Sequence, residues 1–285
     1  MGRQNSKIKS MNSAKDFYDG KKYNLVCFYS EGEPNDKGLN LSENRELVLD
    51  HATNHVDNIE FYTPKKLIEM GYDYYVKDYD ECGLATENPG MNRIGFEAWK
   101  PLIILLELQK MNEGDVLIYR DCNILKYKNL KEYNNIKNIT DKCFDLCHFD
   151  FVVTRELEHL YLRQVTKPNI LRELGENHPF TFAFPNLIAN QLFFKKTHIS
   201  IEFLKDWKWA CEHEEWINGT QYDQELNKDF LHSCNAQSLM GTTIANWIRT
   251  RKYEIPLKYP QIRFKGRSIY KIRQNKNYGY LKHLD

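Results

Sequence analysis

Along this chain, short runs of strand-forming apolar residues alternate with stretches whose apolar positions recur at helical spacing. After a polar, aperiodic beginning over residues 1–20, which reads as disordered, "KYNLVCFYS" sets an apolar run at Tyr23 to Tyr29. The Gly/Pro/Asn-rich "EGEPNDKG" closes it. "SENRELVLDHATNHV" places Leu47, Val48 and Ala52 at helical spacing behind Ser42, a residue type that caps helix N-termini. "NIEFYTP" reads as a second strand, and "TPKKLIEMG" as a short helix with Pro64 in its first turn and Gly71 after its end.

The most informative segment is "GFEAWKPLIILLELQKMNEGDVLIYRDCN". Pro101 suits a first helical turn, Leu102 to Leu106, Leu108 and Met111 are apolar on nearly every side, and Gly114 stops the helix before Asp115 opens a strand. Both elements must be interior. The strand, Val116 to Tyr119, then emerges at Asp121, whose carboxylate would be costly to bury unpaired, so a cation is expected beside it.

Downstream come a polar helical piece ("KNLKEYNNIKNITDK"), a strand at "FDFVV", a second at "HLYLRQ", and a short helix at "TKPNILRELG". "NLIANQLFFKK" reads as a sheet element, "SIEFLKDWKWACE" as an amphipathic helix and "AQSLMGTTIANW" as a late helix. The alternation predicts an α/β fold, a mostly parallel central sheet flanked by helices, with ligands at the carboxyl ends of the strands. No repeat or low-complexity linker divides the chain, so residues 21–250 read as one domain followed by a tail over 251–285.

Charge refines this picture in one place. The 40 Lys and Arg balance 39 Asp and Glu, which argues against a nucleic-acid partner. The tail departs from the balance, with ten basic residues from Arg251 onward against Glu254 and Asp285, and is suited to meeting an anion. No run reaches the roughly 18 apolar residues of a membrane span, and the first residues lack the apolar core of a secretory signal. A cytoplasmic location follows as the expectation. Seven cysteines, an odd number, fit reduced thiols better than a disulfide framework.

The chemistry concentrates at Asp121 and Asn123. An Asp-x-Asn at the tip of a buried strand suits a hard divalent cation, because Mg²⁺ and Mn²⁺ take oxygen ligands and complete their shell with water and substrate phosphates. "DYD" at Asp78 to Asp80 has the letters of such a motif but sits in a loop. Lys100, beside Pro101 at a helix start, can help hold a diphosphate, with Arg93 a few residues earlier. The packing alternative puts Trp99 in the core and Lys100 in solvent, and spacing does not decide between the two.

These residues carry a resemblance. The order Gly-Phe-x-x-Trp-Lys-Pro, long apolar helix, Asn-x-Gly-Asp, strand, Tyr-x-Asp resembles a family of GT-A-fold glycosyltransferases from bacteria and large DNA viruses, and it continues through "TKPNILRELG", "IANQLFFKKTHISIEFLKDW" and "AQSL" over roughly residues 23 to 250. The resemblance implies a single GT-A domain that moves a sugar from a nucleotide-sugar, a UDP-sugar before a GDP-sugar, to a glycan or glycoprotein acceptor. Similar viral members decorate capsid glycans, which implies host cytoplasm or virion association. It also implies Mn²⁺ or Mg²⁺ at Asp121 and Asn123, with His232 as a third ligand; Tyr29 and Ser30 near the nucleotide; and Arg93, Trp99 and Lys100 near the donor sugar or phosphate. Asn123 departs from the glycine or aspartate usual there.

A late Asp-Gln-Ser motif of the family appears here as "NAQSL", with Ala236 where its aspartate stands, so the base must be sought elsewhere. Asp223 is the candidate, with Glu225 and Asp206 as substitutes. Residues from about Asn186 to Gln191 face the acceptor in this reading, and Lys265 or Arg267 of the tail neutralises the leaving group. Asn123 and Ala236 also fit a degenerate module that binds a nucleotide or glycan without turnover. A Mg²⁺-dependent nuclease built on the same acidic strand end is the remaining alternative.

Overall fold

The computed structural model describes residues 20–29, 41–77, 94–122, 144–145, 149–155, 160–218, 228–250, 263–264 and 267–269. Its strands are β1 (Tyr23–Phe28), β2 (Asn58–Tyr62), β3 (Val116–Asp121), β4 (Phe151–Arg155), β5 (Leu187–Lys195), β6 (Arg263–Phe264) and β7 (Arg267–Ile269). The helices are α1 (Leu41–Ala52), α2 (Pro64–Glu69), α3 (Trp99–Lys110), α4 (Leu162–Val165), α5 (Pro168–Glu173), α6 (Pro179–Ala183), α7 (His198–Cys211), α8 (Glu214–Ile217) and α9 (Ala236–Arg249).

The sheet is covered on both faces, and the strands show it residue by residue. Val26, Phe28, Leu117, Tyr119, Leu192 and Phe194 point into one apolar cluster with α3, α7 and α9. Their neighbours Leu25, Cys27, Val116, Ile118 and Phe193 point into a second, with Val48 and Ala52 of α1. Each fully buried aliphatic or aromatic side chain contributes about 1.5–3 kcal/mol. Caps fix the helix starts: the Thr63 hydroxyl accepts from Lys66 N at 3.1 Å with Pro64 in the first turn, and that of Thr197 accepts from Ser200 N at 3.2 Å.

Strand order is β2-β1-β3-β5-β4-β7-β6. β1 runs parallel to β2 and β3, but β5 is antiparallel to both β3 and β4, so the sheet is mixed and the expectation of a mostly parallel one is corrected. An apolar strand buried on both faces looks the same in either direction. What reverses β5 is its connection: the chain from Arg155 to Leu187 returns at the edge where β4 ended. Two further expectations change. "HLYLRQ" is not a strand: Tyr161 makes only an isolated bridge with Pro185, and the Gln164 side chain, accepting from Tyr161 N at 2.9 Å, starts α4 instead. Ser42 lies inside α1, which begins at Leu41, and not ahead of it.

β4 is parallel to β3 through β5, so the connection carrying α4, α5 and α6 sits at the same sheet edge as Asp121. The expected disorder of residues 1–20 falls almost wholly outside the described residues. Of the basic tail, the short β7–β6 hairpin is described, and it extends the sheet beside β4. No helix among the described residues is long and apolar enough to cross a membrane.

Lys167, just before α5, is fully buried, and its ammonium donates to the carbonyl of Glu215 at 2.8 Å and to that of Asn218. Burial, opposed by the Glu215 charge, lowers it from 10.5 to about 8. Between these values the unfolded chain binds a proton that the folded chain lacks, so stability rises with pH there. Below both values the two states are equally protonated and the slope vanishes. We expect the wild type to gain about 2 kcal/mol over Lys167→Met between about pH 7.5 and pH 9.5. Urea unfolding of both proteins at each pH checks the difference, and equal slopes refute it.

Candidate functional site

The site begins where β3 leaves the core. Gly114, in a left-handed conformation (φ 88°), ends the loop after α3, and the Asp115 carboxylate accepts from Asn112 N at 3.0 Å and Lys22 N at 2.9 Å, fixing the entry of the strand. Period-2 alternation then puts Tyr119 and Asp121 on the face that α3 covers. The Tyr119 hydroxyl donates to Asp121 Oδ1.

Lys100, in the first turn of α3, is the cation that the buried carboxylate demanded. Its Nζ lies 3.1 Å from Asp121 Oδ1 and 3.3 Å from Oδ2, 2.9 Å from Glu97 Oε2, and 3.4 Å from the carbonyl oxygen of Ala189. The rings of Trp99 and Tyr119 are 5.8 and 5.7 Å from it. The exposures order the group: the Lys100 side chain is 3% exposed, those of Asp121 and Glu97 are 19% and 23%. The ammonium is therefore the floor, and the two carboxylates form the lip.

Two carboxylates against one ammonium leave this trio with a surplus negative charge. Burial raises the Asp121 carboxyl above its ordinary value; Glu97 adds to the rise and Lys100 opposes it. For Lys100, burial pulls down, but Asp121 and Glu97 together outweigh it and hold the ammonium above its ordinary value. The lysine stays charged.

Trp99 supports this floor from inside. It is 6% exposed, its ring stacks on Phe28 at 3.8 Å, and its Nε1 donates to Ile94 O at 3.0 Å. The packing alternative thus holds for Trp99 but not for Lys100, which is buried. Tyr29 follows β1 at the same sheet edge, its N–H donating to Tyr62 O at 2.7 Å, but it packs on the α1 side, with the Arg45 guanidinium 6.0 Å from its ring. The structure brings Trp99, Lys100 and Asp121 together and puts Tyr29 across the sheet from them.

β5 closes the other wall. Its register against β4 jumps from Val153↔Leu192 to Thr154↔Ile188, a bulge that leaves Ala189, Asn190 and Gln191 out of the β4 pairing while Gln191 still pairs with Arg120 of β3. Gln237, in the first turn of α9, holds the bulge: its Oε1 accepts from Ala189 N at 3.1 Å and its Nε2 donates to Asn186 Oδ1 at 3.3 Å. The Ala189 carbonyl is thereby presented to Lys100. Neither Glu97 nor Gln237 had been singled out. "AQSL" carried the signal for Gln237, but Glu97 is one acid in a polar stretch, and only the backbone turn reveals its direction.

His232 is exposed on the segment before α9, its N–H donating to Gln164 O at 3.4 Å. Among the described residues, no three His, Cys, Asp or Glu side chains gather as a metal-holding group. Asp206 accepts from Trp247 Nε1 at 2.8 Å, and Ala236 is buried with its carbonyl accepting from Trp207 Nε1 at 2.9 Å. Ser30, Arg93, Asn123, Asp223, Glu225 and Lys265 lie outside the described residues, as does the side chain of Arg267. Cys27, Cys122, Cys211 and Cys234 are not joined in disulfides; burial pushes Cys122, next to Asp121, up to about 12, which keeps it protonated and unreactive. Comparison with protein-family models, curated proteins and solved structures finds no match to this chain.

Proposed function

We propose that this chain is a GT-A-type glycosyltransferase that moves a sugar from a nucleotide-sugar, a UDP-sugar before a GDP-sugar, to a glycan acceptor. One observation carries the reading: β3, the interior strand where the parallel half meets antiparallel β5, ends on a partly exposed carboxylate, backed by a buried lysine from a helix start. Open α/β sheets bind ligands at that edge. The chain's own residues then have distinct tasks. Lys100 supplies a fixed positive charge under the diphosphate, Trp99 and Phe28 exclude water beneath it, and the bulge of β5, held by Gln237, faces the acceptor.

A divalent cation would have to displace Lys100 or Tyr119 from the Asp121 oxygens, both of which are engaged. Asp121 would hold Mn²⁺ or Mg²⁺, whose chemistry when bound is Lewis-acid neutralisation of the departing nucleotide. The degenerate binding module remains the second reading, favoured by the engagement of both Asp121 oxygens with Lys100 and Tyr119.

A thermal-shift panel of UDP- and GDP-sugars on the full chain, with and without Mn²⁺, tests the proposal. A donor at about 100 times its Kd stabilises by about 2.7 kcal/mol, or roughly 5–10 °C in a chain of this size. Nucleotide release in the presence of Mn²⁺ supports the transferase, and binding without turnover supports the module. No shift with any donor, with or without Mn²⁺, refutes both.

A further inference from the structure

Three carboxamides meet where the bulge of β5 abuts the start of α9, those of Asn186, Gln237 and Asn235. Gln237 is bonded at both ends, from Ala189 N and to Asn186 Oδ1. The other two are not. Asn186 is 2% exposed, and although its Oδ1 accepts from Gln237, its Nδ2 has no hydrogen-bond partner among the described residues. Asn235, the residue before α9, is 5% exposed. Its backbone N–H donates to the Ser233 hydroxyl at 3.2 Å, while its side chain neither caps the helix nor bonds elsewhere among the described residues.

An amide this deep and unpaired weakens a fold, since water has been taken from it and nothing returned. The left-handed backbone at Asn235 (φ 46°) accounts for asparagine there, because asparagine tolerates that region. It does not account for the open donor of Asn186. Neither amide is sealed in, and both keep a path to solvent. They open beside the Ala189 carbonyl, which faces Lys100 and the end of β3.

The open groups select what can fill them. Asn186 offers a donor, Asn235 offers donors and an acceptor, and neither is charged. An anion meets the Asn235 oxygen and a cation meets the amide hydrogens, so both are disfavoured. A hydroxyl donates and accepts, and it is small enough to reach groups at this depth. Two adjacent hydroxyls satisfy both residues, and a pyranose ring presents such pairs.

We propose that Asn186 and Asn235 form a hydroxyl-reading subsite for the acceptor sugar, with Gln237 fixing the Asn186 carboxamide. The role of the bound sugar as acceptor rests on the sugar-transfer reading above; its binding does not, and the test needs neither nucleotide nor metal.

Saturation-transfer NMR titrations of the full chain use the methyl glycosides of glucose, galactose, mannose, xylose and N-acetylglucosamine. At least one should bind the wild type at millimolar concentration, and its analogue lacking one of two adjacent hydroxyls should bind about tenfold more weakly. Asn186→Asp keeps the oxygen that Gln237 uses and loses the donor. Asn235→Asp loses the donors and keeps a residue type that tolerates the backbone. Each should weaken the bound glycoside about tenfold, with a melting temperature within about 3 °C of wild type. Unchanged binding in either variant, or weakening only alongside a large fall in melting temperature, overturns the proposal. So does a wild type that binds none of the glycosides. A glycoside held through these amides in a chain that responds to no nucleotide-sugar refutes the donor reading alone, and a nucleotide-sugar shift with no glycoside bound refutes this inference alone.

Discussion

Asp121→Asn is expected to lower sugar transfer by about 10³-fold and to abolish the Mn²⁺-dependent part of the nucleotide-sugar thermal shift, because a lost metal ligand removes several kcal/mol of charge stabilisation at about 1.4 kcal/mol per tenfold. The fold should tolerate the change. Asp121 has a carboxyl raised above 3.8 by burial and by Glu97. A raised carboxyl contributes stability that is present below its unfolded value and lost as pH rises through its folded value, so once ionised Asp121 is a cost the fold carries. Asparagine is the neutral isostere, and Glu97 still pairs Lys100. The melting temperature should therefore stay within a few degrees of wild type at neutral pH. Wild-type activity in a folded Asp121→Asn protein would remove the proposed mechanism, and a large loss of stability would show that the carboxylate is there for the fold.

This separation of site from scaffold also explains what could be read from the residues alone. Helix α3 and strand β3 were legible because their apolar positions surround the whole element, and because Pro101 and Gly114 punctuate them. The need for a cation at Asp121 followed from burial, without knowledge of the partner. Lys100 was left undecided between phosphate holder and solvated lysine, since a lysine in a first helical turn reads the same in either role; it proves to be buried beneath two carboxylates.

Direction and register were less accessible. β5 reads as a buried strand from "NLIANQLFFKK", yet nothing in its letters marks it as antiparallel, and the bulge at Ala189 to Gln191 is visible only once its register with β4 is known. Tyr161 and Leu162 have strand-like neighbours, but the local hydrogen bond from Tyr161 N to the Gln164 side chain wins over propensity. Glu97 was hidden for a different reason. Its role depends on a left-handed turn built on Gly95, and a glycine in "RIGFEAWKP" does not announce which conformation it takes.

The same glycine carries the largest stability effect we expect. Gly95→Ala should destabilise the protein by about 3 kcal/mol or more, with a fall in melting temperature of roughly 6–12 °C. Two costs add. The left-handed backbone (φ 54°) penalises any side chain, and a Cβ at this position would sit 1.9 Å from the carbonyl oxygen of Tyr75 and 2.7 Å from its carbon. Backbone atoms cannot swing aside as a flexible side chain does, so the turn must shift. Gly71 and Gly114 separate the two costs: both are left-handed, with φ of 80° and 88°, but an added Cβ meets nothing within 4 Å. Alanine at either should cost only about 1–2 kcal/mol. Denaturant unfolding of the three variants checks the difference. If the three alanines cost the same, the contact with Tyr75 does not constrain the turn.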